Sequence, residues 1–282
     1  MTASSSSSYR SPLVAAMVSR LGRVGQFIWA GWIGLAALSL ITAVWQAGHE
    51  AFGAFILPDP ATVLSAVAAI ILAPENHPII GATAERAMRG LGLSLLGGGA
   101  LGLACGYSAA AMRLTRPLLT VLLGVPPIAW IVLVMIWFGS TDTTVIVTVV
   151  AAVAPVLFLG AAEGTSHRDR RLDDMARAFG VGPARRAFGL GLRQALTTFL
   201  PALAVASGTA FKVAVMSELL TNAGGAGGAL ADARATLDAS SALAWIVIVV
   251  GLLLAVEYLV IHPFRSELER WRAATNPFGV KT

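Results

Sequence analysis

Glu163-Gly-Thr-Ser-His-Arg-Asp-Arg-Arg-Leu-Asp-Asp-Met-Ala-Arg-Ala-Phe-Gly180 opens a basic, helix-compatible segment that continues through Arg185 and Arg186 to Arg193. It separates two apolar runs, Val145 to Ala162 and Phe199 to Leu220. At about 1.5 Å per residue, each run is long enough to cross a bilayer. An exposed polar element of this size, in a chain otherwise so apolar, needs a partner to touch. Within it, Leu172, Met175, Ala176, Phe179 and Val181 form an apolar stripe among charged neighbours, as in an amphipathic helix. Asp173 and Asp174 near its start and arginines further on suit the helix dipole, and Gly180 permits a turn at its end. Such a helix could equally lie on anionic lipid.

The composition agrees with membrane insertion. The 282 residues are 56% hydrophobic and only 12% charged, where a soluble domain carries about 25% charge. Four further runs, Phe27 to Trp45, Gly90 to Ala109, Leu118 to Phe138 and Ala242 to Ile261, bring the predicted spans to six. The expected fold is an all-α integral membrane protein with six transmembrane helices. The net charge of +5 sits at the ends of apolar segments rather than on one face, so it reports topology and not nucleic-acid binding. The single cysteine, Cys105, excludes disulfides and cysteine-rich metal sites. Residues 1–11 are serine-rich and expected to be disordered, and no cleavable signal peptide is predicted.

Six spans put both termini on one side. Sixteen of the twenty lysines and arginines fall in the segments that then share that side, the exceptions being Arg86, Arg89, Lys212 and Arg234. This bias places both ends in the cytoplasm. The predicted organisation is a cytoplasmic tail over 1–24, a six-span domain over 25–264 with the cytoplasmic loop 163–198, and a second tail over 265–282. Outside, Leu57-Pro58-Asp59-Pro60 precedes a short helix over 61–72 that Asp59 caps and that is too short to cross. Residues 221–241 are read as a loop with a flexible turn at Gly224 to Gly228.

Inside the spans, Gly98, Gly102 and Gly106 recur every four residues, which makes a close-packing face for another helix. Val125-Pro126-Pro127 interrupts the third predicted span, and a kink is expected at Pro127 because its nitrogen cannot donate to the helical ladder. Such a kink either bends a packed helix or lines a path through the membrane. Lys212 and Glu218 are ionisable groups in the fifth span, six positions apart and so on different faces. No H-E-x-x-H, G-x-S-x-G or G-x-x-x-x-G-K-[ST] pattern is present. No catalytic residue, metal or cofactor is expected, and any ATPase that drives the chain is a separate polypeptide.

Several motifs in order carry a family resemblance. They are Leu57-Pro58-Asp59-Pro60, Arg86 with Gly90, the glycine-rich second span, and Val125-Pro126-Pro127-Ile128-Ala129-Trp130 followed by Trp137-Phe138-Gly139-Ser140-Thr141-Asp142. Next come Asp174-Met175-Ala176-Arg177-Ala178-Phe179-Gly180, then Gly208-Thr209-Ala210-Phe211 with Val215 and Glu218, the glycines Gly225 and Gly227, and Glu269-Arg270-Trp271. From Leu57 to Trp271 the chain resembles permease subunits of bacterial ABC importers, in the branch that handles nitrate, sulfonates and taurine. Departures stand at Arg193 and Thr197, where that family has prolines, at Val132 and Thr141, and at Asp142 and Asp174, where it has glutamates.

The resemblance implies a permease that works by alternating access as a homodimer, with two ABC ATPase subunits and an external substrate-binding protein. It implies that Asp174, Met175, Ala176, Arg177, Phe179 and Gly180 belong to a coupling helix that docks on the ATPase. Pro126, Pro127, Trp130, Phe211, Met216 and Glu218 are expected along the translocation path. Two rival readings stand beside it. One is a proton-coupled secondary transporter that uses Glu218, and the other is a membrane assembly factor that transports nothing.

Overall fold

The computed structural model describes Trp32 and residues 34–261. The expected tails over 1–24 and 265–282, the start of the first expected span and the Glu269-Arg270-Trp271 motif lie outside the described residues. Among these, every regular element is helical. The chain divides into two compact units at Thr62–Val63.

In the first unit, residues 34–52 form α1. The indole Nε1 of Trp45 donates to the Pro58 carbonyl at 2.9 Å, and His49 Nδ1 lies 2.8 Å from the Leu57 carbonyl oxygen. These bonds fold the Leu57-Pro58 segment back toward α1. Asp59 then caps α2 (Pro60–Leu72), whose residues from Val63 on belong to the second unit, accepting from the Thr62 amide at 3.0 Å and the Thr62 hydroxyl at 2.5 Å. The bond from the Thr62 hydroxyl, helped by the Thr62 amide, holds the Asp59 carboxyl below its ordinary range. With 13 residues, α2 is too short to cross a membrane, as the sequence predicts.

In the second unit, α3 (His77–Ser94), a π-type turn (Leu95–Gly99) and α4 (Ala100–Gly106) run on from Pro74 as a single 33-residue helical stretch. The predicted second span began only at Gly90, which left residues 46–86 outside, so its start is corrected by some four turns. The charges at 85, 86 and 89 do not end the helix because each is matched: Arg89 pairs with Glu85 one turn away at 2.5 Å, and Arg86 pairs in the interior.

The third predicted span, Leu118 to Phe138, is not a straight crossing. It divides into α5 (Ala109–Gly124) and α6 (Pro127–Phe138), bent by 89°. A residue before proline is pushed out of the α region. Here Val125 (φ −75°, ψ 123°) and Pro126 (φ −61°, ψ 140°) both precede a proline and are both extended. Pro127 then starts α6 at the one place where a missing N–H costs nothing. The interruption at Pro127 is thus present, and it is a corner rather than a mild kink.

The remaining elements are α7 (Asp142–Ser166), α8 (Arg170–Ala178), α9 (Pro183–Arg186), α10 (Leu192–Thr221), α11 (Gly225–Ala235) and α12 (Ala239–Val256). The predicted fourth and fifth spans lie within α7 and α10, and the sixth corresponds to α12 with the π-type turn Glu257–Ile261. Residues 225–228, expected in a flexible turn, instead form the first turn of α11. The described residues therefore contain four helices long and apolar enough to cross a membrane, or five if the α5–α6 pair counts as one span. The chain is an all-α, multi-span membrane protein.

α7 is the axis of this unit, with α3, α4, α5, α6 and α10 packed on it. Val145, Val149, Val153 and Leu157 of α7 are fully buried against Ala87 and Leu91 of α3 and Ala206, Ala210 and Phe211 of α10. The glycine face meets α7 along its length. A Cβ at Gly90 would strike Val149, at Gly98 the Ala154 carbonyl, at Gly102 the Phe158 carbonyl, and at Gly106 both Thr165 Oγ1 and the Ala162 carbonyl. In a membrane, where apolar burial between helices gains little over lipid contact, such backbone approach is what makes packing favourable.

Candidate functional site

At one end of the unit, side chains far apart in sequence meet in a cluster that is buried except at Asp142. Glu218, near the end of α10, is wholly inaccessible, and Arg86 of α3 is only 8% exposed. Arg86 Nη1 donates to Glu218 Oε1 at 2.7 Å, while Nη2 donates to Asp142 Oδ1 at 2.6 Å and to the Ala223 carbonyl at 3.0 Å. The second carboxylate oxygen, Oε2, accepts from the Thr83 hydroxyl at 2.8 Å and the Gly227 amide at 3.0 Å. Thr83 Oγ1 in turn accepts from the Ala226 amide at 2.8 Å.

Two of the free N–H groups that begin α11 are therefore satisfied by side chains from α3 and α10. This is why the glycines form a helix there: its N-terminus rests on an anion. Gly225 (φ +74°) can approach because it has no Cβ, which would sit 2.5 Å from Glu218 Oε1. The cluster holds one cation and two carboxylates, and the N-termini of α7 and α11 supply roughly half a positive charge each. It ties together α3, α7, α10 and α11.

The expected path residues fall on different surfaces. Phe211 and Glu218, seven residues apart and so on one face of α10, point into the packed interior. Met216 is 39% exposed on the outward side of the same helix. Pro126 and Pro127 make the α5–α6 corner. Half-buried Trp130 borders an apolar groove of about 370 Å³ with Gly98, Leu119, Leu122 and Phe158. Its indole Nε1 is buried and has no hydrogen-bond partner among the described residues. Sequence reading placed Arg86 and Asp142 in motifs without seeing that they meet, and Thr83 not at all. The usable signal was the arginine at 86, which broke the charge bias and so called for a buried partner.

At the opposite end lies α8. Asp169 caps it through the Arg171 amide at 2.8 Å. It closes with the Val181 amide on the Ala176 carbonyl and the Gly180 amide on the Arg177 carbonyl, both at 2.9 Å, and Gly180 takes φ +76°. That is a Schellman stop, which requires a left-handed residue just past the helix. α8 is braced to the bundle: the Asp169 amide donates to Gln194 Oε1 of α10 at 2.7 Å, and Arg186 reaches Asp173 at 3.3 Å. Beside it, the Arg168 guanidinium stacks 4.7 Å from the Tyr107 ring centroid at the α4–α5 turn. Of its apolar stripe only Ala176 is buried, whereas Phe179 (81% exposed), Met175 and Leu172 face outward.

A family model described as the inner membrane component of binding-protein-dependent transport systems matches residues 98–266. The chain belongs to this family. The match spans the glycine face, the corner, the braced helix and the Glu218 end of α10. Two relatives agree over most of their length. A Bacillus subtilis (strain 168) protein whose name assigns it to aliphatic sulfonates transport as a permease is 27% identical over 225 residues, covering 77% of this chain and 80% of its own. The taurine transport system permease protein of Escherichia coli (strain K12) is 24% identical over 247 residues, covering 85% and 89%. As an inner membrane component of a binding-protein-dependent transport system, the chain is a transport subunit and not an enzyme. This bears out the resemblance read from its motifs.

Proposed function

We propose that this inner membrane component imports a small anionic solute of the sulfonate or taurine class as one of two identical permease chains. Each copy works with an ABC ATPase subunit in the cytoplasm, and an external binding protein delivers the solute. Residues 27–45 supply a sixth span, and both termini and the loop 163–198 lie in the cytoplasm, as the arginine distribution favours. ATP-driven closure of the ATPases moves α8, and the contacts of the two residues just before it, Asp169 with Gln194 and Arg168 with Tyr107, pass that movement to α10 and to the α4–α5 turn. The result is alternating access across the membrane. Asp174, Met175, Ala176, Arg177, Phe179 and Gly180 form the docking element. Trp130 and Met216 line the path beside the corner at Pro126 and Pro127, and Phe211 and Glu218 hold its wall from behind.

The observation that carries this reading is the outward apolar face of α8. A helix braced at its first turn through Asp169 and Asp173, with Phe179, Met175 and Leu172 turned away from its own chain, has the form of a knob for a protein groove. Against the proton-coupled reading stands the setting of Glu218, whose two oxygens are already engaged by Arg86, Thr83 and the Gly227 amide. The test is Phe179→Asp, which places a charge where the groove would desolvate it. The variant should insert and fold normally yet no longer copurify with the ATPase. Undiminished copurification and uptake would mean that α8 lies on lipid instead.

A further inference from the structure

Of the four cations that break the charge bias, Arg86 and Arg89 have carboxylate partners and Arg234 lies in the last turn of α11. Lys212 is different. It is exposed on α10 and makes no hydrogen bond or ion pair among the described residues. In the four long apolar helices, it is the described charged side chain lying more than two turns from either end without a charged partner. Nine residues separate it from Thr221, about 14 Å along the axis, which is close to mid-membrane for a hydrocarbon layer of about 30 Å. An ammonium facing lipid there is strongly disfavoured, so such a residue turns to protein, to water or to a ligand.

Its neighbours define the surface it occupies. Val205, Lys212, Met216 and Leu220 succeed one another at helical spacing on the side of α10 turned away from α3 and α7. Val205 is 62% exposed, Leu220 45% and Met216 39%. On this otherwise apolar strip, Lys212 supplies three N–H donors on a flexible stem. A sulfonate or carboxylate crossing a low-dielectric path needs such donors, and a weakly held one lets it leave again. Resting on the permease reading above, we infer that Lys212 is the mid-path residue that attracts and transiently binds the oxyanion group of the transported solute. Its ammonium has no fixed counter-ion among the described residues because the passing anion serves as one.

The test probes the position with a reagent that is itself a sulfonate. In the full-length chain carrying Cys105→Ala and Met216→Cys, the new thiol lies one turn from Lys212. Its reaction rate is measured with 2-sulfonatoethyl methanethiosulfonate and with the cationic trimethylammonioethyl analogue, in membrane vesicles of both orientations. The anionic-to-cationic rate ratio should fall at least about tenfold when Lys212→Gln is added, since a unit charge a few ångströms away acts oppositely on the two reagents. Lys212→Arg should preserve the ratio, and gel filtration of each variant checks that it is folded. Absence of labelling from either side would mean that this strip faces lipid, with Lys212 reaching for headgroup phosphates. Labelling with an unchanged ratio would mean that the strip is wet but Lys212 does not select anions. Either result overturns the inference. Neither readout needs the ATPase, so failure here is separate from failure of the copurification test.

Discussion

Arg86 Nη1 and Glu218 Oε1 are 2.7 Å apart across 132 residues of chain, in a site that excludes solvent from the carboxylate completely. The pair closes the bundle at the end where α11 begins, and Thr83 and the Gly227 amide complete its hydrogen bonding. A buried ion pair adds little over an apolar contact, but losing one partner strands the other charge.

Arg86→Ala and Glu218→Ala should therefore each cost about 3–5 kcal/mol, read as a fall in the thermal unfolding midpoint of the detergent-solubilised protein. The double variant should lose clearly less than the sum, because both changes remove one shared interaction. Asp142→Ala should cost only about 0–1 kcal/mol, since its side chain is 65% exposed. Strict additivity of the Arg86 and Glu218 effects would deny the pairing.

Glycines in one helix should respond very differently to the same small change. Gly102→Ala pushes a methyl group into the Phe158 carbonyl of α7, whereas Gly97→Ala meets nothing within 4 Å. The first should destabilise by about 1–3 kcal/mol, and the second should be neutral or better because alanine favours the helix. Equal midpoints for the two variants would place α7 elsewhere.

At Gly180 the constraint is conformational rather than steric. Nothing lies within 4 Å of where a Cβ would be, but φ is +76°. Gly180→Val should lose about 1–2 kcal/mol at this turn and weaken copurification with the ATPase, while Gly180→Asn, which tolerates the left-handed region, should largely retain it. A valine variant that docks as well as the asparagine one would show that the Schellman stop is unimportant for coupling.

Much of this could be read from the sequence, and the misses share a cause. The glycine face, the break at Pro127 and the amphipathic α8 are local signals, set by spacing or by a single residue's chemistry. The start of the second span was missed because Glu85, Arg86 and Arg89 look like a polar boundary. Glu85 and Arg89 neutralise each other one turn apart, but Arg86 is tolerated inside the helix only through Glu218 and Asp142, which sit 132 and 56 residues away. The helix at Gly225–Ala235 was missed for the same reason: its glycine-rich start is stabilised by a carboxylate from α10 and a hydroxyl from α3. Long-range pairing of charges leaves no periodic trace.

Topology can be checked directly. Reporters fused at Arg170 and after the C-terminal residue should read cytoplasmic, and reporters at Asp59 and Gly227 external. The structure already separates α8 from Gly227 along α10, with Gln194 braced to one and Glu218 to the other. A reporter at Arg170 that reads external would put the ATPase and the docking helix on opposite sides of the membrane.

The energy source tests the account most directly. Reconstituted in proteoliposomes with its ATPase and binding protein, the permease should import its solute only when ATP is supplied to the ATPase. Uptake should persist when a protonophore collapses the proton gradient, and Glu218→Gln should reduce it without abolishing it. Uptake driven by a pH gradient in the absence of the ATPase, and lost completely in Glu218→Gln, would contradict the account.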